Sequence, residues 1–179
     1  MSHGPLPNSY WLPGNEISAG EYPGHHKPDI TRERLATLLD AGIRSFVDLT
    51  EATDPLRPYA EDLHALGRER EIEVRWVRLP IRDMNVPPRE RMEEILAHLD
   101  AEVAAGRKVY VHCWGGVGRT GTVVGCHFVR RGRSGEEALA AVAELWELMS
   151  ETKRLSHAGS PETEAQRRFV RGWKNEKAG

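Results

Sequence analysis

Of the chain's 179 residues only two are cysteines, Cys113 and Cys126. Two thiols make no disulfide framework and suit a reducing compartment. Long hydrophobic runs are missing as well: no stretch approaches the ~18 apolar residues of a membrane-spanning helix. The opening MSHGPLPNSYWLPG has neither a basic start nor an apolar run, so it does not read as a secretory signal. These absences together predict a cytoplasmic protein with no membrane partner. Charge of one sign is also lacking. A net charge of −2 gives no bulk attraction to nucleic acid or an anionic surface, so any anion recognition must be local. No repeat, low-complexity tract or linker interrupts the chain. Its length fits one core, and the expectation is a single domain over 1–179, monomeric, with 1–28 as an N-terminal hairpin and loop extension.

What is present alternates between strand and helix. YWLPGNEISAGEYPG reads as two short strands about a Pro-Gly turn. TRERLATLLDAG places Leu35, Leu38 and Leu39 at helical spacing, and IRSFVDLTE follows as a strand. A helix is predicted from Tyr59 to Arg70, then a strand in EVRWVRLPI. PPRERMEEILAHLDAEVAAG carries Met92, Ile95, Leu96 and Leu99 on one stripe, with prolines at its start. KVYVHC is a strand, and TGTVVGCHFVRRG a buried helix. Ser134 and Glu137 make a capping box for the next helix. Residues 150–160 read as polar loop, and SPETEAQRRFVRGW as a last helix with Phe169 and Trp173 inward. This alternation predicts an α/β fold: a central, mostly parallel sheet of about four to five strands with helices on both faces.

Sites in such sheets form beyond the carboxyl ends of strands. At one such end stands VHCWGGVGRTG, residues 111–121. Its glycines, at 115, 116, 118 and 121, allow tight turns and close approach to a ligand. Consecutive amides there make a nest for an anion, and the following helix aims its positive end at the same place. Arg119 adds a two-pronged fork for oxyanion oxygens. Cys113 at the mouth of that bowl is in a setting that favours thiolate. The chemistry this permits is phosphoryl transfer to sulfur. A donor is then needed for the leaving oxygen, and Asp83, in the Pro-flanked LPIRDMNVPP, supplies one on a loop able to move. Glu51 and Asp54 are rival acids. Thr120 places a hydroxyl to stabilise the departing thiolate.

The H-C-x5-R-T pattern of His112, Cys113, Arg119 and Thr120 resembles the protein tyrosine and dual-specificity phosphatases. The glycines of GVGRTG strengthen the match, and Asp83 precedes Cys113 by 30 residues, near the family's acid spacing. ETEAQRRF resembles, with one departure, the Q-T-x-x-Q segment of the classical members: Gln166 matches its second glutamine and Glu162 stands in place of the first. The resemblance implies a phosphatase-like fold and a phosphomonoester hydrolase with a cysteinyl-phosphate intermediate. The substrate it implies first is phosphotyrosine in proteins, with phosphoserine and phosphothreonine as an extension; the alternative is a phosphoinositide or another small phosphorylated molecule. The resemblance implies Cys113 as nucleophile, Arg119 as phosphate binder and Asp83 as acid, then base. The amides of Trp114, Gly115, Gly116, Val117, Gly118 and Arg119 form the cradle. His112, Thr120 and Gln166 support it. No metal and no cofactor are implied.

Two other classes compete. A rhodanese-type sulfurtransferase also sets a cysteine in an anion-binding loop, and thiosulfate-to-cyanide turnover would reveal it. A non-catalytic phosphate-binding module is the other, although the nucleophile, arginine and acid are all present. The nucleotide-binding pattern G-x-x-x-x-G-K-[ST] is absent. Cys126 and His127 read as core packing. Arg130, Arg131 and Arg133 read as a solvated helix end. His25 and His26 read as an exposed loop, with the rim of the substrate pocket as the alternative, and Tyr22 and Arg57 are placed near that rim by their position at strand ends.

Overall fold

The computed structural model describes residues 2–174. Six strands and seven helices alternate along these residues. The strands are β1 (Ser2–His3), β2 (Ser9–Trp11), β3 (Ile17–Gly20), β4 (Ile43–Asp48), β5 (Arg75–Arg78) and β6 (Lys108–His112). They form one sheet in the order β1-β2-β3-β6-β4-β5. β1 and β2 are antiparallel to their neighbours, and the β3, β6, β4, β5 group is parallel. The N-terminal segment through Gly20 is thus part of the sheet, since β3 is the parallel partner of the central β6. The two-residue β1 brings the count to six, one more than the sequence suggests.

The helices are α1 (Pro28–Asp40), α2 (Ala60–Glu69), α3 (Arg89–Ala104), α4 (Gly118–Arg130), α5 (Gly135–Trp146), α6 (Glu151–Ser156) and α7 (Glu164–Gly172). Strand alternation sorts the core onto two faces. Val47, Val109 and Val111 join the apolar cluster that α3, α4, α5 and α7 cover. Phe46 and Tyr110 join the one under α1 and α2. β6 is buried on both faces, as a central parallel strand must be. The Ser134–Glu137 capping box is formed, worth about 1 kcal/mol to α5. Trp173 is buried and stacks under the Arg89 guanidinium, while Phe169 is only half-buried.

Two expectations fail here. Residues 151–156 are helical, started by Ser150, whose hydroxyl accepts from the Lys153 amide. No residue of α6 is buried, so no apolar stripe announced it. Arg130 is not solvated either: it pairs with Glu93 at 2.8 Å and Asp100 at 2.7 Å, locking α4 to α3. Arg133 covers the ring of Phe128.

Cys126 and His127 lie in the packed interior. Burial pushes the Cys126 thiol well up and His127 down to about 4. The unfolded chain binds a proton at His127 near pH 6.5 and the native chain only near pH 4, so this residue's contribution to stability falls as pH drops through that window. The loss is about 3 kcal/mol. Urea unfolding of wild type and His127→Phe at pH 7 and pH 4 should show the smaller pH dependence in the variant; equal dependence would remove His127 from the account.

Candidate active site

The carboxyl ends of three parallel strands meet at one level, where Gly20 of β3 and Asp48 of β4 flank His112 of β6. Beyond that edge lies a pocket of about 430 Å³. Cys113, Trp114, Gly115, Val117, Gly118 and Arg119 line one part of it, and Asp83, Met84, Lys153, His157 and Glu162 another. Cys113 is buried, and Trp114 stands half-exposed at the rim. The loop between β6 and α4 is shaped at Gly116, whose φ of 74° is left-handed. A Cβ there would lie 2.5 Å from the carbonyl carbon of Gly20, so the loop sits directly on the end of β3. The Trp114 carbonyl accepts from the Tyr22 amide at 2.9 Å, a second tie to the same segment. Among the described residues, the amides of Trp114 to Val117 donate to neither backbone nor side chain. With the first amides of α4 they form a row of free donors at a helix start.

Arg119 is 1% exposed. Its Nη1 donates to Asp54 Oδ2 at 2.8 Å and to the Ile81 carbonyl at 3.2 Å. Among the described residues its Nε and Nη2 find no hydrogen-bond partner. Nη2 lies 3.0 Å from Asp83 Oδ1, an ionic contact without hydrogen-bond geometry. Burial works against the guanidinium charge, and Cys113, Asp54 and Asp83 outweigh it. One edge of the fork is therefore held, and the other presents two parallel donors.

His112 is fully buried, and desolvation holds it below its ordinary value. Its Nδ1 faces the Cys113 carbonyl at 3.3 Å and its Nε2 the Tyr59 hydroxyl at 2.6 Å. The carbonyl only accepts, so Nδ1 carries the proton and Nε2 accepts from Tyr59. Burial keeps the Tyr59 phenol protonated for that task. His112 is thus a neutral clamp on the cysteine's carbonyl. The Thr120 hydroxyl is buried and, among the described residues, has no hydrogen-bond partner.

Asp83 is 53% exposed at the tip of its loop. The loop is fixed on both sides, with the Ile81 carbonyl held by Arg119 and the Asn85 carbonyl by Gln166 Nε2 at 3.2 Å. The other end of the Gln166 amide accepts from the Thr163 amide in a capping box. Gln166 is therefore a brace between α7 and the Asp83 loop. Of the rival acids, Asp54 is 10% exposed and committed to Arg119, and Glu51 does not line the pocket.

Tyr22 does reach the pocket. His25 and His26 stand in a loop outside it, His26 exposed, as the loop reading expects; Arg57 does not line it, contrary to expectation. The His25 backbone is tied to the Thr31 hydroxyl and its ring packs on His26, while Arg57 pairs with Asp62. Four site-region residues escaped the sequence reading. Tyr59 reaches His112 only through the fold. Lys153 and His157 come from and just after the unpredicted α6. Asp48, buried, accepts from the amide and hydroxyl of Thr50 at 2.9 and 2.6 Å and shapes the turn that carries Asp54. The D-x-T spacing in VDLT, a common turn signal, was the available clue.

A family model described as "Polymorphic toxin system, DSP-PTPase phosphatase" matches residues 21–133. A curated relative, "Putative tyrosine phosphatase 067L" of Invertebrate iridescent virus 3, is 32% identical over 100 residues. That match takes in 52% of this chain and 37% of the viral protein's length. The crystal structure of Tk-PTP in its active form superposes with a TM-score of 0.71 at 24% identity, over 95% of this chain and 98% of that one. PTPMT1 in complex with PI(5)P gives 0.67 at 21%, over 92% and 93%. At these identities the two structures show likeness of fold.

Proposed function

Because the chain belongs to the cysteine-dependent tyrosine and dual-specificity phosphatase family, we propose that it hydrolyses phosphate esters by way of a phosphocysteine at Cys113, with phosphotyrosine in proteins as the substrate. The observation that carries this reading is the buried Arg119 fork in the same pocket as Cys113, with Nε and Nη2 free of hydrogen bonds among the described residues, together with the undonated amides of the same loop. In the proposed sequence the dianionic phosphate enters the bowl and the sulfur attacks phosphorus in line. Arg119 and the amides hold the charge that spreads over the equatorial oxygens. The same fixed donors stand where a metal would otherwise be required. Asp83 leaves Arg119 as phosphate takes its place, and protonates the departing oxygen. Thr120 then supports the released thiolate. The wall of Tyr22, Leu56, Met84 and Trp114 suits an aromatic ring.

The test is release of phosphate from p-nitrophenyl phosphate with chelator present, followed by alkylation with iodoacetate. Turnover that alkylation removes, and inorganic phosphate protects, supports the reading. A folded, reduced protein with no turnover would leave a phosphate-binding module or a sulfurtransferase. A second substrate reading rests on Lys153, which brings a cation to Gly115 from outside the loop, its Nζ 3.9 Å from a Cβ built there. It favours a phosphoinositide or another multiply anionic ester. Glu21 speaks against it, being already bound to Lys153 at 3.1 Å. Comparing a phosphotyrosine peptide with a soluble inositol phosphate decides between them.

A further inference from the structure

We propose that a second cavity, at the far end of α4 from the phosphate loop, binds a small aromatic carboxylate through Phe128, His127 and Arg133. It does not depend on the phosphatase reading. The cavity measures about 330 Å³, a size that suits a small molecule. Three chain reversals meet around it. The β2–β3 turn closes with the Leu12 amide on the Ile17 carbonyl at 2.9 Å, α3 ends at Ala104 and α4 at Arg130. Leu12, Ile17, Val103 and Phe128 supply apolar walls. α4 begins at Gly118 and has 13 residues, so its two ends stand about 20 Å apart. A ligand here is therefore clear of Cys113.

The way α4 ends places the polar groups. Gly132 is left-handed, with φ of 98°; its amide reaches the Val129 carbonyl at 2.9 Å, and the Arg133 amide reaches the Phe128 carbonyl at 3.1 Å. Such an ending brings the side chain after the glycine onto the residue whose carbonyl it caps, usually as an apolar contact. Here the contact is a guanidinium, 4.7 Å from the centre of the Phe128 ring. Arg133 forms no ion pair among the described residues, and nearby Glu137 is engaged with Ser134. Arg131 also lines the cavity but is paired with Asp100. His127, 7% exposed, forms part of the wall. Its Nδ1 is sealed off with no hydrogen-bond partner among the described residues. Nε2 has none either and is not sealed, so it is the nitrogen a ligand can reach. A neutral ring whose Nδ1 is bare donates from Nε2. Two donors, one of them charged, thus stand beside apolar walls, and a carboxylate on an aromatic body answers both. Glu16, exposed on the same cavity, would repel a dianion and limits the ligand to one negative charge. The carbonyls of His127, Phe128 and Val129 are already taken by the amides of residues 131–133, so that turn offers the anion no free acceptor.

The experiment titrates 1-naphthoate into the isotope-labelled full chain at neutral pH and follows the backbone amides by NMR, with inorganic phosphate present to fill the bowl. The amides of Gly132 and Arg133 should shift saturably while those of Gly115 and Gly116 hold still. The neutral 1-naphthalenemethanol should bind about 10-fold more weakly, and Arg133→Gln and His127→Phe should each weaken naphthoate by a similar factor, the loss of one hydrogen bond to a charged group. Val103→Trp fills the cavity and should abolish the shifts. Shifts confined to the phosphate loop, or none that saturate at Gly132, overturn the proposal. Equal affinity for the alcohol does so too, since the cavity would then be merely apolar. Undiminished binding by Arg133→Gln does the same. Urea unfolding checks each variant; Arg133 is exposed, so its glutamine variant decides the matter should either buried substitution disturb the fold.

Discussion

Arg119→Lys is expected to lower kcat/KM on aryl phosphates by at least about 10³-fold, although it preserves the charge. The reason is geometric. Removing a single preorganised oxyanion donor costs roughly 10²–10³ in rate, and the lysine would remove two. Arg119 reaches its place with Nη1 held by Asp54 and the Ile81 carbonyl, which leaves Nε and Nη2 parallel and without hydrogen bonds among the described residues, Nη2 only in ionic contact with Asp83. An ammonium is a point charge with no parallel edge. In a cavity built for a guanidinium it would lean on Asp54, whose carboxylate is nearly buried and needs a cation. Steady-state kinetics on phenyl phosphate, with an unfolding curve to confirm the fold, measures the effect. Near-normal activity would undo the cradle argument.

Asp83→Ala is expected to slow phenyl phosphate hydrolysis by roughly 10²–10⁴-fold. p-Nitrophenolate leaves with little help, so the loss on its ester should be much smaller. That contrast separates an acid from a residue that merely shapes the site. The fold predicts little structural damage, since Asp83 is half-exposed and the loop is anchored through its neighbours' carbonyls. KM should change little, because the acid acts on the leaving oxygen and not on the phosphate. Asp54→Ala should differ. It frees the held edge of Arg119 and should impair both esters alike. An Asp83→Ala enzyme with an unchanged rate on phenyl phosphate would take the acid role away from Asp83.

Much of this was legible in order of residues alone. The alternation of apolar strands with striped helices determined an α/β sheet covered on both faces, because periods of 2 and 3.6 are local properties of the chain. The Ser134 cap was equally local and was formed as read. HCWGGVGRTG determined a glycine-shaped turn that sets its cysteine and its guanidinium at a helix start, since such a turn and the helix behind it are made by consecutive residues. What only the tertiary structure decided involves partners distant in sequence. α6 escaped because a helix with no buried side leaves no periodic mark, and its Lys153 and the nearby His157 were invisible for the same reason. Asp54 and Asp83 were both readable as acids. Their places followed only when one was found buried on the held edge of Arg119 and the other exposed at a loop tip. Gln166 and Glu162 were one motif in sequence. In space the first braces the Asp83 loop and the second is bonded to His157. The chain order sets which groups are available and how each turn begins. Burial and hydrogen-bond commitment, which depend on what packs around each group, set which atoms are left free to react.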